Sequence, residues 1–237
     1  GAGLCGGSSN SSLGLFLESV DWGRLVDVTD INGVVVKSDV LINHLLDSDG
    51  VNYQLGTNPV NQRETLSILQ DASSGEFATL LAAAQLTLQH VTAKKVGAAP
   101  PMTTIARNAT VRLQFSEHIN PATVDFTTVQ VFVWDPPQLS FAGRYLIDND
   151  SVSGKGNVIF DPTVSALEAA QEAVPQNSIG FPGSIDTLTS NIAFRIPTIP
   201  DPLSGQPNVL TSLSGSRKPT VQNPSTEPFE EYISGRK

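Results

Sequence analysis

Asn108–Trp134, NATVRLQFSEHINPATVDFTTVQVFVW, is the stretch that decides the fold class. From Thr110 to Ser116 the side chains alternate: Val111, Leu113 and Phe115 face one way, Thr110, Arg112 and Gln114 the other. A period of two is the pattern of a half-buried β-strand. A polar connection, Glu117 to Thr128, follows. At its centre Asn120 can cap a helix, and the fixed φ and missing N–H of Pro121 suit a first helical position, which predicts one short helical turn. Val129, Val131 and Val133 then alternate with Gln130, Phe132 and Trp134. This second strand is apolar on both faces, so both need cover. Strand, helical turn and strand together read as part of a β-sandwich.

The same residues resemble the opening of the bacterial Ig-like domain of surface-layer and other secreted proteins. The matching pieces are Phe115-Ser116-Glu117 and Asn120-Pro121-Ala122-Thr123-Val124, followed by the Val-rich strand. Asp201-Pro202-Leu203-Ser204-Gly205 is similar to the closing turn of that domain. The resemblance implies an Ig-like domain over about residues 103–213, in a scaffold or adhesion role, and brings no catalytic residues. An apolar, Ala-rich insertion near Ala166, read as one or two helical turns, makes this domain longer than the usual pattern.

Working outward, the 237 residues suit two β-domains of about 100 residues each. Charged residues make up 16% of the chain, below the typical quarter or so. Thr, Ser, Asn, Val, Gly and Pro fill the difference, a profile of exposed β-structure with many turns. The net charge of −9 is spread along the chain without a basic stripe, which argues against nucleic-acid binding. No apolar run is long enough for a membrane-spanning helix.

The chain divides into five parts. Residues 1–12 are a flexible Gly/Ser segment. Residues 13–97 are a β-rich domain, expected to be a second Ig-like sandwich, with an Asn32-Gly33 hairpin turn. Within it Phe77, Leu80, Leu81, Ala84 and Leu88 recur at helical spacing, which places a helix near 74–85 before a further strand. Residues 98–102, with Pro100-Pro101, read as a stiff linker. Residues 103–213 are the domain described above, with late strands at 144–147, 157–160 and 191–196. Residues 214–237 read as an extended C-terminal tail rich in Pro, Ser and charge. The fold class expected is all-β: two Ig-like β-sandwich domains in tandem, one or two short helices, and extended tails.

Candidate chemistry is sparse. His44, His90 and His118 form no close-spaced metal motif, and no nucleophile elbow or Cys pair occurs. His44, in an apolar run, reads as a buried structural histidine. No catalytic residue and no cofactor is assigned, and the chain is not expected to be an enzyme. Calcium is the one ion considered, at the acidic turns of Asp47 and Asp49 and of Asp148 and Asp150, since clustered carboxylates supply the oxygens it prefers. Asp and Asn favour turns for local reasons as well. Cys5, followed by a Gly/Ser tether, is similar to the mature start of a bacterial lipoprotein and is a candidate lipid anchor; the other reading is a free thiol. Asn10, Asn108 and Asn149 begin Asn-x-Ser/Thr sequons. Trp22 and Trp134 are either core residues or a sugar platform.

The function expected is an extracellular or cell-surface structural protein, a subunit that self-associates into a layer or filament. The terminal segments and Val129–Trp134 would make the contacts, for instance by adding a strand to a neighbour's sheet. The alternative is an adhesin or carbohydrate-binding module of a larger secreted protein, with a glycan as partner.

Overall fold

A computed structural model describes residues 15–86, 89–92, 108–133, 139–140, 143–173, 180–181, 191–197, 209–217 and 229–234. Strands dominate these residues, and the only α-helices among them are two short ones.

Strand β1, Leu17–Thr29, organises the molecule. Its first half pairs antiparallel with two strands, Gln89–Thr92 (β5) and Thr110–Phe115 (β6). Its second half pairs antiparallel with Val35–Ile42 (β2) and, over Asp27–Thr29, parallel with Glu64–Ile68 (β4). Strand Tyr53–Thr57 (β3) closes the far side of β4. Even-numbered residues of β1 share one face by the period of two. Val20 and Trp22 enter one hydrophobic core, and Val26 and Val28 enter another. The odd-numbered Asp21 and Asp27 are buried on the polar side.

The sequence pattern breaks at Asp21-Trp22-Gly23, yet the strand runs through. Asp21 lies opposite Arg112 of β6, whose Nη2 donates to it at 2.9 Å and Nε at 3.2 Å. Pairing removes the cost of a buried carboxylate there.

The first core lies between two sheets. One holds β1, β6, Gly156–Asp161 (β10) and Arg144–Asn149 (β9). The other runs in the order Phe229–Ser234 (β12), Asn191–Ile196 (β11), Gln130–Val133 (β7) and Leu139–Ser140 (β8). Val111, Leu113, Phe115, Val158 and Phe160 from the first meet Val131, Phe194 and Ile196 from the second. Rings gather around Phe160, with Tyr145 at 5.2 Å, Phe181 at 6.1 Å and Phe194 at 6.3 Å between centroids. Between β6 and β7 the chain makes the expected helical turn, Pro121–Thr123, with the Asn120 side chain accepting from Ala122 N at 3.1 Å.

The second core is built differently. Val26, Val28, Ile42, Tyr53, Leu66 and Ile68 come from the β2-β1-β4-β3 sheet. Helix α1, Gly75–Leu86, covers them with Phe77, Leu80, Leu81 and Ala84. The helical stripe thus occupies, among the described residues, the place a second sheet would take. This unit is a sheet under a helix, where a sandwich was expected.

Two expected contact elements make their described contacts within the chain itself. Val129 and Val131 are buried, and β7 has neighbours on both sides, so Val129–Val133 offers no open edge. The described parts of 214–237 bond to their own chain: β12 pairs with β11, Arg217 O accepts from Leu15 N, and Ser214 Oγ donates to Glu117. Residues 1–12, with Cys5 and Asn10, the linker 98–102 and Trp134 lie outside the described residues.

Candidate functional site

Where the two cores meet, six charged side chains converge. Asp27 points from the polar side of β1. Asp39 comes from a bulge in β2: between the pairs Val26↔Val40 and Val28↔Lys37, β2 holds one residue more than β1. Asp39 adopts a left-handed φ of 55°, a conformation Asp tolerates better than most residues. Arg63 ends a turn shaped by Asn58 and Asn61, whose side chains accept from Val60 N and Arg63 N. Its neighbour Gln62 is also left-handed, at φ 60°. Arg144 and Asp161 are directly paired across β9 and β10. Glu168 is the third residue of helix α2, Ala166–Glu172, and forms a capping box with Ser165.

The contacts form a closed network. Asp27 takes a two-pronged contact from Arg63, Nε to Oδ2 at 3.0 Å and Nη2 to Oδ1 at 3.1 Å, the fork geometry that suits guanidinium. Arg63 also pairs with Asp39. Arg144 reaches Asp161 at 3.2 Å and Asp39 at 3.6 Å. Glu168 Oε1 lies 3.6 Å from Arg144 and 4.0 Å from Arg63. The Arg144 side chain is only 3% exposed and that of Arg63 15%. Burial works against the Arg63 charge, but the hydrogen bond and charge of Asp39, with Asp27 behind it, outweigh that and raise its pKa. Two guanidinium groups thus face four carboxylates, a net negative floor.

Four members of this network, Arg63, Arg144, Asp161 and Glu168, line the floor of a cavity of about 400 Å³, with Asp27 and Asp39 behind them. Glu64 is the fifth charged residue of its lining, and the exposed Thr57, Gln62 and Asn108 mark its open side. Gly143 next to Arg144 has no room for a side chain, since a Cβ there would sit 2.5 Å from the Phe160 ring and 2.7 Å from Asp161 O.

The residues singled out from the sequence lie elsewhere. Asp49 staples its own turn, accepting from the N–H groups of Val51, Asn52 and Tyr53 at 2.9, 2.7 and 2.9 Å. The bonds from Tyr53, then Val51 and Asn52, hold its carboxyl down to about 2. Asp47 accepts from Ser48 N. Asp150 accepts from Val152 N and Ser153 N, and the Ser153 side chain, followed by these N–H groups, lowers its pKa. Asp148 lies on β9, exposed. Among the described residues no group of three or more His, Cys, Asp or Glu is arranged to hold a metal. Trp22 is fully buried in the first core. His44 is half-buried, which lowers its pKa. His118 Nε2 lies 2.9 Å from Asp150 O. Asn149 uses its whole amide on one residue, accepting from Ile119 N at 2.8 Å and donating to Ile119 O at 2.9 Å. Asn108 is exposed.

The charged cluster itself was missed. Only local parts of it are visible in the sequence: the Ser165-x-x-Glu168 capping pattern, and Asp161-Pro162 ending a strand. Nothing local brings Asp27 to Arg63 or Asp39 to Arg144.

Compared with protein-family models, curated proteins and solved structures, the chain matches none. Among the described residues no helix is long and apolar enough to cross a membrane.

Proposed function

We propose that the chain is a structural β-module of an extracellular or cell-surface protein, a stiff unit within a layer or filament made of copies of itself. The observation that carries this reading is β1, one unbroken strand that serves two cores. Domains joined by a linker move relative to one another by default. Here a bend would have to break the β1 ladder and unpair the buried charges of Arg63 and Arg144, each of them costly. The low charge content and the Thr-, Ser- and Asn-rich composition support an extracellular setting, and the likeness of residues 108–133 to an Ig-like opening supports a scaffold role.

Contact between copies would use the β1–β2 hairpin. Ile31, Val34, Val35 and Val36 are exposed at its tip, and among the described residues β2 pairs only with β1. An open apolar strand edge is a template for another strand, and the partner in this reading is a different strand edge of a second copy, joined head to tail so that the contact does not close at a dimer. Sedimentation velocity and negative-stain microscopy of the full chain over a range of concentrations test this. Assemblies that disappear in Val35→Lys, with an unchanged melting temperature, are expected. A monomer at every concentration would refute self-assembly.

A further inference from the structure

We propose that the cavity between the two cores binds an uncharged polyhydroxylated molecule, such as a sugar unit. This rests on the cavity alone and does not depend on the structural reading above.

The cavity has the size of an ordinary small-molecule site, roughly 300–1,000 Å³. It sits at the junction of two cores, a favoured place for such sites. Two of the three left-handed non-glycine residues among those described, Asp39 and Gln62, flank Arg63 at this site. Backbone strain of this kind concentrates where a function requires it.

The lining decides the class of ligand. The carboxylates of the lining are engaged: Asp161 holds Arg144, Thr163 N and Thr163 Oγ1, Glu168 holds both arginines and Ser165, and Glu64 holds Arg24. A charged ligand group would have to displace one of these pairs, and an anion would also meet the excess of carboxylates. At the mouth stand Thr57, Gln62 and Asn108, whose side chains make no hydrogen bond among the described residues. A hydroxyl and two amides each offer a donor and an acceptor at once. A sugar hydroxyl has the same dual character, so these groups suit a ring of neutral hydroxyls. Leu25 gives the ring an apolar contact.

Saturation-transfer NMR of the full chain with D-glucose, D-galactose, N-acetyl-D-glucosamine, cellobiose and D-glucuronate tests the proposal. Transfer to at least one neutral sugar is expected. That signal should be lost in Asn108→Trp and in Thr57→Trp, which fill the mouth from exposed positions. If either variant fails to fold, Gln62→Ala with Asn108→Ala, which removes two of the ligand-facing groups, should cause the same loss. D-glucuronate should give no signal. Silence from every neutral sugar, transfer that survives the filled mouth, or glucuronate binding as well as glucose would each overturn the proposal.

Discussion

Arg63 and Arg144 belong to different cores yet share two carboxylates, Asp39 and Glu168. Two like charges are held side by side because each acid bridges both. Neither arginine can leave without stranding acids that the other cannot satisfy alone. The junction between the cores is therefore an element of the fold in its own right.

Arg144→Met should be among the costly substitutions in this chain. It leaves Asp161 and Glu168 buried with reduced compensation, and breaking a buried pair from one side costs about 3–5 kcal/mol. Urea denaturation measures it. Replacing Arg24, whose bond to Glu64 is 3.0 Å but more exposed, should cost no more than about 1 kcal/mol.

Gly156→Ala should destabilise by about 1–3 kcal/mol through overpacking. The added Cβ would lie 2.6 Å from Glu117 O and from Ile119 N, and 2.9 Å from Asn149 Oδ1. It would push apart the contact in which Asn149 ties the end of β9 to Ile119. Thermal melting shows the loss, and the Ile119 amide should shift in NMR spectra.

Leu113→Ala and Leu66→Ala remove fully buried side chains from the first and second core respectively. Each should cost about 2–5 kcal/mol. Because β1 joins the cores, each should lower one shared unfolding transition, followed by Trp22 fluorescence for the first core and far-ultraviolet circular dichroism for the whole.

Asp49 predicts the shape of the acid limb. Its carboxyl, held at about 2 by three backbone N–H groups, lies below the roughly 3.9 of an unfolded chain. Its contribution to stability is therefore present above the unfolded value and is lost as pH falls through about 2. Asp49→Ala should lower stability at neutral pH and flatten its decline between about pH 4 and pH 2. Carboxyl NMR titration of Asp49 checks the midpoint directly.

Local patterns made much of the strand content legible. The alternation Val111-Leu113-Phe115 marks β6, Ile192-Phe194-Ile196 marks β11, and Asn120-Pro121 marks the helical turn, since each depends on neighbours in sequence. The stripe Phe77-Leu80-Leu81-Ala84 marks α1, but periodicity does not say what a stripe covers, so from sequence alone the sheet-under-helix unit reads as a sandwich. The continuity of β1 was hidden because Asp21 looks like a strand breaker until Arg112, 91 residues away, lies opposite it. The charged site was hidden for the same reason. Its members are ordinary surface residues by type, and only the bulge at Asp39 and the pairing of β9 with β10 bring them together.

Native-state hydrogen exchange is the most direct test of the central claim that the two cores form one unit through β1. The slowest amides of β4, in the second core, and of β6, in the first, should open with the same free energy, equal to that of global unfolding. Opening of β4 at a clearly lower free energy, with β6 still protected, would show two independent domains and contradict the account.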